Sequence, residues 1–418
     1  MNVEPIRLIL QLGIILIAAK LTGELCKRYF RQPEVLGELI TGMLIGPYAL
    51  GTFIVIPSLG PLFMRPEGAA ASAVSNELYA VAQIAAIILF FSTGLETDLR
   101  GLIKYGGPSA LVALGGIIIP FLLGDLATVL GGHAKGLADP PALFVGTILA
   151  TPSLGVATRI LEEMGKLRTP EGVMTVGSAM INAIFILLIL MIVAGVSSQA
   201  GLHIKKVLLT AGLAVLFLLL LTGFVALFAK PLSRFLSAFR SEGALIALAL
   251  ALAFIGSALA QLFGLIAIIG AFGVGLALST SGELAVNLKR QLSSVQNAFV
   301  PIFFTTMGML FDVFSLGRPV LLLFGLLLTV IAIVGKLLGC GLPALALRFT
   351  QLGALRIGFG ASPRGGFALA VALTGMAVGA ISKDLFAVTV LMTAISVLIT
   401  PPVLNALFRK EEGAELAS

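Results

Sequence analysis

Charged residues are scarce in this chain: Asp, Glu, Lys and Arg make up 11% of its 418 residues. Soluble proteins carry about 25% charged residues, and so few could not cover the apolar interior of a chain this long. Hydrophobic residues make up 58%, and the mean hydropathy is +1.10. This composition excludes a soluble enzyme, a disordered chain and a nucleic-acid-binding module. It predicts a protein that crosses a membrane many times.

Tryptophan is absent, and there are only two histidines and two cysteines. His133 and His203 leave little for histidine-based catalysis, and Cys26 and Cys340 have neither metal-ligand spacing nor the pattern of a disulfide framework. No cofactor is expected. The net charge of +7 comes from 27 basic residues scattered between apolar runs. This distribution indicates the loops of a membrane protein, and nucleic acid is not an expected partner.

Apolar runs long enough to cross a bilayer, which takes about 20 residues, recur along the whole chain. The first run carries Lys20 and Glu24 and lacks the features of a cleaved signal peptide. An all-α polytopic membrane protein is therefore predicted. Its transmembrane helices, about 13 in number, are predicted at residues 6–26, 36–55, 78–96, 107–130, 142–160, 171–197, 204–228, 243–260, 262–281, 295–312, 319–347, 353–380 and 385–407.

Most of the 27 basic residues fall on one side of the membrane when the N-terminus is placed outside and the spans alternate. Because cytoplasmic loops are enriched in Lys and Arg, the N-terminus is predicted outside and the C-terminus in the cytoplasm. The expected location is a bacterial inner membrane. The sequence carries no nucleotide-binding motif, so a secondary transporter or a channel is favoured over transport driven directly by ATP.

Two of the predicted spans are interrupted near their centres by proline and glycine. Pro152 lies within residues 147–159, and Pro363 lies within residues 358–366. Proline removes a backbone donor and disfavours helix at the residue before it. Interrupted helices expose N–H and C=O groups near the midplane, which is where many transporters bind their cargo.

Each interruption lies in the middle span of a three-span unit. The two units cover about residues 107–197 and 319–407, and they run in opposite directions through the membrane in the predicted topology. Inverted repeats with two crossed broken helices are therefore predicted.

Several segments resemble the monovalent cation:proton antiporters, in the branch of bacterial sodium/proton antiporters and glutathione-gated potassium efflux systems. In chain order these segments are 32–47 (QPEVLGELITGMLIGP), 89–100 (LFFSTGLETDLR), 150–159 (ATPSLGVATR), 162–172 (EEMGKLRTPEG), 303–312 (FFTTMGMLFD), 335–339 (GKLLG) and 363–365 (PRG). The resemblance covers nearly the whole chain.

The resemblance implies a domain organisation and a mode of transport. A mobile core would comprise about residues 107–197 and 319–407, and dimerisation or scaffold helices would comprise about 1–96 and 204–281 with linking helices. A homodimer would exchange a monovalent cation for protons by an elevator-like movement of the core in the lipid bilayer.

Two acidic positions of that family hold other residues here. The helix after the first broken one carries Asp-Asp or Asn-Asp in the family, and its second Asp binds the cation and the proton in turn. The corresponding pair here is Asn182-Ala183, and Gly366 stands where many members have Glu. Weak or absent electrogenic exchange is therefore predicted. Asp125 is a remaining acid within a span, and its place near the outer end predicts a position at the membrane interface.

The residues expected to contact the ion are Thr151, Ser153, Asn182, Ala183, Lys336 and Arg364. Lys336 is the strongest candidate among these, because inserting a lysine at mid-span costs about 2.5–3.5 kcal/mol on insertion scales. In electrogenic relatives the matching lysine pairs with the first Asp. Here it would face the amide of Asn182, which cannot neutralise charge. Lys336 would therefore release its proton, hold an anion or bond the backbone carbonyls of a broken helix.

Three functions stay open at this point, and none of them is enzymatic. The first is antiport of Na⁺, K⁺ or Li⁺ against protons, altered or impaired by the missing Asp. The second is transport of an anion or organic acid on the same fold, using Lys336 and Arg364. The third is a non-transporting membrane sensor.

Overall fold

The computed structural model describes residues 3–30, 32–56, 60–63, 74–97, 106–197, 243–263, 266–312 and 317–415, with isolated positions between 212 and 227. The predicted span 204–228 therefore lies almost entirely outside the described residues. The helices are α1 (Val3–Phe30), α2 (Glu34–Ile45), α3 (Asn76–Glu96), α4 (Gly106–Leu130), α5 (Pro140–Ala150), α6 (Leu154–Glu163), α7 (Pro170–Ser197), α8 (Ala244–Leu262), α9 (Ala267–Ser279), α10 (Glu283–Met309), α11 (Pro319–Ala346), α12 (Gln351–Gly360), α13 (Gly366–Ala377) and α14 (Lys383–Glu415).

Every other predicted span coincides with a helix or with a pair of half-helices, which confirms the all-α polytopic fold. Two boundaries were wrong. The helix of the predicted span 295–312 begins already at Glu283. The second span ends as a helix at Ile45, before Gly46 and Pro47, and leads into a 3-10 turn (Leu50–Phe53) and a short antiparallel hairpin. The hairpin pairs β1 (Val55–Ile56) with β2 (Gly60–Pro61).

The helices have the length and surface of membrane spans. Among the described residues, seven are long and apolar enough to cross a bilayer: α1, α3, α4, α7, α8, α11 and α14. Large apolar side chains point outward from them, such as Ile17 and Leu323, each 65% exposed. Surfaces of this kind suit hydrocarbon rather than water.

The two predicted repeats are present as α4–α7 and α11–α14. In each, a continuous helix is followed by two half-helices and a second long helix. The chain leaves helical geometry at residues 151–153 in the first repeat and at 361–365 in the second. Pro152 and Pro363 lie in these breaks, as expected from their missing N–H groups.

The repeats are held together at a close crossing of α4 and α11. An alanine at Gly339 would place its Cβ 2.5 Å from the carbonyl oxygen of Gly115, and the reverse substitution would bring a Cβ onto Gly339 O. Neither position accepts a side chain, so the two backbones touch. Small residues permit this close packing between membrane helices. The crossing brings Lys336, three residues before Gly339, against α4.

Candidate functional site

Lys336 lies at the centre of the candidate site, with its ammonium bonded to two backbone carbonyls. Its side chain is 1% exposed. Nζ donates to Gly116 O at 2.8 Å on α4 and to Ala150 O at 2.9 Å at the end of α5. Of the three roles predicted for this lysine, bonding to the carbonyls of a broken helix is the arrangement seen.

Both acceptors are available because the local sequence removes their usual donors. The carbonyl of Gly116 would normally receive the N–H of the residue four positions later, and that residue is Pro120, inside α4. Ala150 is the last residue of α5, so its carbonyl belongs to the unsatisfied end of the half-helix. The partial negative charge of a helix C-terminus favours a cation at this place.

Arg364 reaches the same half-helix from the second break. Its side chain is fully buried. Nη2 donates to Leu149 O at 2.6 Å and to Ala332 O at 3.0 Å, and Nη1 donates to Ser362 O. Arg364 and Lys336 thus bond consecutive carbonyls at the end of α5 and tie the two breaks together. Among the described residues, no carboxylate forms an ion pair with either cation.

Ser153, Asn182 and Lys336 line one small enclosed cavity of about 10 Å³, together with Ala113, Pro152, Ala157, Ser178, Ala179, Cys340 and Ala361. Asn182 is 3% exposed, and its Oδ1 is buried with no hydrogen-bond donor. An unsatisfied buried acceptor costs about 1–3 kcal/mol. This oxygen is therefore suited to receive a positively charged or hydrogen-bond-donating ligand.

Thr151 and Ala183 do not line this cavity. The hydroxyl of Thr151 turns back onto α5, where Oγ1 donates to Ile148 O at 2.7 Å. That carbonyl lacks the usual donor four positions later, which is Pro152, and it also accepts the backbone N–H of Thr151 at 3.2 Å. Ala183 is fully buried in the apolar core, in a cluster that includes Ile186 and Leu187.

A larger cavity of about 280 Å³ lies beside the small one. Pro152 and Ser153 line both, so they form the wall between them. Three carboxylates, those of Glu34, Glu38 and Glu96, line the larger cavity beside a single ammonium, that of Lys20. We call this larger cavity the funnel.

Two ammonium groups pair with the glutamates of the funnel. Lys20 Nζ lies 3.6 Å from Glu34 Oε2 and 3.6 Å from Glu38 Oε1, and Lys27 Nζ lies 3.0 Å from Glu34 Oε1. Glu96 accepts a hydrogen bond of 3.0 Å from Ser92 Oγ on the same helix. Among the residues that line the funnel, carboxylates outnumber ammonium groups, and carboxylates attract cations.

The side chain of Asp125 is buried between helices and does not face the membrane interface. The predicted interface position was wrong. The Asp125 side chain is 3% exposed, and Oδ1 is buried without a hydrogen-bond donor. Neighbouring helices cover the outer half of α4, which the position of the residue in its span does not reveal. Asp125 lies more than two helical turns beyond Gly116, so it is too far along α4 to pair with Lys336.

Three features of the site were missed in the sequence. They are the acceptor carbonyl of Gly116, the thiol of Cys340 in the small cavity and the carboxylates of the funnel. Pro120 in the middle of an apolar run was the one available signal for the first of these, since it frees a carbonyl one turn earlier.

Comparison with known proteins finds sodium/proton antiporters that match nearly the whole chain. The family described as "Sodium/hydrogen exchanger, transmembrane" matches residues 13–410. The Na⁺/H⁺-K⁺ antiporter GerN of Bacillus cereus is 32% identical over 98% of this chain and 98% of its own length. The high-affinity Na⁺/H⁺ antiporter NhaS3 of Synechocystis is 31% identical over 97% of this chain and 92% of its own length.

A solved structure agrees at the level of the fold. The sodium proton antiporter MjNhaP1 of Methanocaldococcus jannaschii superimposes with a TM-score of 0.66 at 16% sequence identity, over 95% of each chain. With the crossed half-helices and the buried cations, these matches establish what kind of membrane protein this is. The chain belongs to the sodium/hydrogen exchanger family of cation/proton antiporters.

Proposed function

We propose that this protein exchanges a monovalent cation for a proton and that Lys336 carries the proton. The observation on which the proposal depends is the pair of carbonyl contacts of Lys336, at 2.8 and 2.9 Å. An ammonium is itself a monovalent cation. The oxygen atoms that hold it are therefore of the kind that would hold Na⁺, K⁺ or Li⁺.

The exchange needs no carboxylate at the midplane. When Lys336 gives up its proton, Gly116 O and Ala150 O become available, and Asn182 Oδ1 is already without a donor. A cation that enters replaces the charge that the proton takes away. The site then carries the same charge in both states, so one cation exchanges for one proton without net charge movement. This arrangement accounts for a family member that has Asn182-Ala183 in place of the acidic pair.

The funnel supports a cation as the cargo. Its carboxylates outnumber its one ammonium, and it reaches Ser153 at the wall of the small cavity. In the predicted topology the funnel opens to the cytoplasm. It lies between helices assigned to the scaffold, such as α2 and α3, and half-helices of the core, α6 and α13. An elevator movement of residues 107–197 and 319–407 against the scaffold of a homodimer would carry the site to the opposite face.

An anion is the second candidate cargo, and one atom favours it. Arg364 Nε is buried without a hydrogen-bond acceptor, so this guanidinium has a donor to offer. Its two Nη atoms and the ammonium of Lys336 already donate to backbone carbonyls. Few donors therefore remain for an anion, and the cation is favoured.

Ion flux into proteoliposomes separates these functions. Proteoliposomes with a trapped pH dye are given an inward gradient of Na⁺, K⁺ or Li⁺, and the lumen is expected to become alkaline with at least one of these ions. The rate of alkalinisation is expected to be the same with and without an imposed membrane potential, because the exchange moves no net charge. Lys336→Gln should abolish the signal, and Lys135→Gln, in the loop after α4, serves as the matched control. A response to anion gradients alone would favour the anion, and no response to any ion would favour the sensor.

A further inference from the structure

Arg356 of α12 joins the first repeat to the end of α14. Its side chain is 2% exposed. Nη1 donates to Glu171 Oε1 on α7 at 3.1 Å, and Nη2 donates to Leu407 O on α14 at 3.0 Å. The guanidinium carbon lies 4.5 Å from the centre of the Phe408 ring. The proposed exchange makes no use of these four residues, which we call the clasp.

The chemistry of the clasp favours one fixed geometry. A guanidinium presents its donors in a rigid planar fork, so it can bond a carboxylate and a carbonyl while its face lies against a ring. The side chain of Glu171 is 15% exposed, so its ion pair with Arg356 is largely withdrawn from solvent. Removing one partner of such a pair is costly, because a buried charge is left behind. The end of α14 is therefore held by more than apolar packing.

Phe408 also packs against the half-helix α6. One apolar cluster joins the two helices, through Val156, Ile160 and Leu161 of α6 and Val397, Leu404 and Phe408 of α14. With ten residues, α6 is shorter than the about 12–15 residues that an isolated helix needs to be stable in water. The position of α6 therefore depends on the packing of its apolar side chains.

The half-helix α6 begins at the wall between the funnel and the small cavity. Ser153 directly precedes α6 and lines both cavities, and Val156 lines the funnel. A Cβ added to Gly365, in the second break, would lie 2.8 Å from Ser153 Oγ and 3.6 Å from Val156 Cγ2. The two breaks thus meet closely here, and a small shift of α6 would move Ser153 against the second break.

We propose that Phe408 and Arg356 are positioning residues, which hold Ser153 in place at this wall by seating α6. Neither residue lines the funnel or the small cavity, so each acts on the wall through the half-helix. Without the Phe408 ring, a cavity would remain beside α6, and the half-helix would have room to move. The inference rests on the proposed function only in treating the wall as part of the ion path.

The position of Ser153 is measured by chemical accessibility, which needs no transport. Ser153→Cys is combined with Cys26→Ser and Cys340→Ser, so that it carries the sole thiol of the chain. The purified full chain in detergent is treated with 2-aminoethyl methanethiosulfonate, a small ammonium reagent, and its modification is followed by mass spectrometry. Adding Phe408→Ala is expected to raise the rate about fivefold, because local opening exposes the thiol more often.

Phe63→Ala is the matched control, because it makes the same change at a buried phenylalanine outside the cluster and both cavities. It is expected to leave the modification rate unchanged. Equal rates with and without a folded Phe408→Ala, or the same increase in Phe63→Ala, would overturn the proposal.

Arg356→Lys is the milder second variant. It keeps a cation for Glu171 but loses the fork that also reaches Leu407 and the face that lies against the ring. The rate should rise about twofold, and this variant decides alone if unfolding temperatures show that Phe408→Ala does not fold. An unchanged rate in Arg356→Lys would then overturn the proposal. Modification that depends on the clasp, in a chain without cation-driven proton flux, would support the seating of α6 and reject the proposed function.

Discussion

The buried ammonium of Lys336 has no carboxylate partner among the described residues. The family resemblance implies that a carboxylate of the acidic pair would offset such a lysine. Here the lysine is held by carbonyls, which carry only partial charges, at Gly116 and Ala150. Desolvation disfavours a buried ammonium, and the two hydrogen bonds favour it. The balance between these effects is what would allow a cation to displace the proton.

Restoring the acid at position 183 should strengthen cation binding. Ala183 follows Asn182 on α7 and is fully buried. In Ala183→Asp, the carboxylate stands in apolar surroundings beside Asn182, where an unpaired charge is costly and favours a bound counter-ion. We therefore expect about tenfold tighter binding of Na⁺ or K⁺, or about 1.4 kcal/mol. The measurement is the rise in unfolding temperature with cation concentration. Ala183→Asn has nearly the same shape without the charge and is the control. Equal affinities in the two variants would contradict the prediction.

The burial and surroundings of single side chains were predictable from the sequence to different extents. The mid-span position of Lys336 was enough to predict a lysine buried within the membrane span, as the structure has it. The burial of Asp125 was not predictable, because it depends on which helices pack around α4. The same holds for Cys340, whose entry into the cavity depends on the absence of a side chain at Gly116 on another helix.

Within α4, Pro120 exposes a backbone carbonyl to another helix. It leaves the Gly116 carbonyl without its intrahelical donor, so that Lys336 can take it. Pro120→Ala restores that N–H, which then competes for the carbonyl. With the ammonium held less well, the lysine loses its proton more easily. The pH profile of exchange should therefore move to lower pH, by about one unit.

The control for this change is Pro402→Ala, at an exposed proline inside α14 and outside both cavities. Flux measured against pH in proteoliposomes is the readout. If both variants keep the profile of the unmodified protein, the Gly116 carbonyl has no part in holding the proton.

The crossing of α4 and α11 should be intolerant of any side chain. Gly115→Ala would push a Cβ onto the carbonyl oxygen of Gly339. We expect a loss of at least about 1–3 kcal/mol in stability, as for other overpacked cores, and a lower unfolding temperature in detergent. Gly13→Ala on α1 is the control, since nothing lies within 4 Å of the added Cβ. Equal unfolding temperatures would show that the two helices can separate at little cost.

Helices and their breaks were largely predictable, because apolar length and proline act locally. The interruptions at Pro152 and Pro363 follow from missing N–H groups wherever those residues lie in space. The crossing of Gly115 with Gly339 joins residues far apart in the chain. Glycines are common throughout this sequence, so composition could not identify the pair that touches.

For the whole molecule, the distribution of basic residues predicts an external N-terminus and a cytoplasmic C-terminus. The funnel, near Lys20 and Glu96, would then open to the cytoplasm. A green fluorescent protein fused after Ser418 should fluoresce in a bacterial host, and alkaline phosphatase at the same place should be inactive. An active phosphatase fusion with a dark fluorescent one would reverse both the topology and the direction of the funnel.

The number of protons released when a cation binds tests most directly whether Lys336 carries the exchanged proton. Calorimetric titration of the purified protein with the transported cation, in two buffers with different ionisation enthalpies, gives that number. Near neutral pH we expect release approaching one proton per cation from the unmodified protein, because the cation takes the place of the proton on Lys336. Lys336→Gln should release none. Cation binding without proton release, or equal release from Lys336→Gln, would contradict a role of Lys336 as the proton carrier.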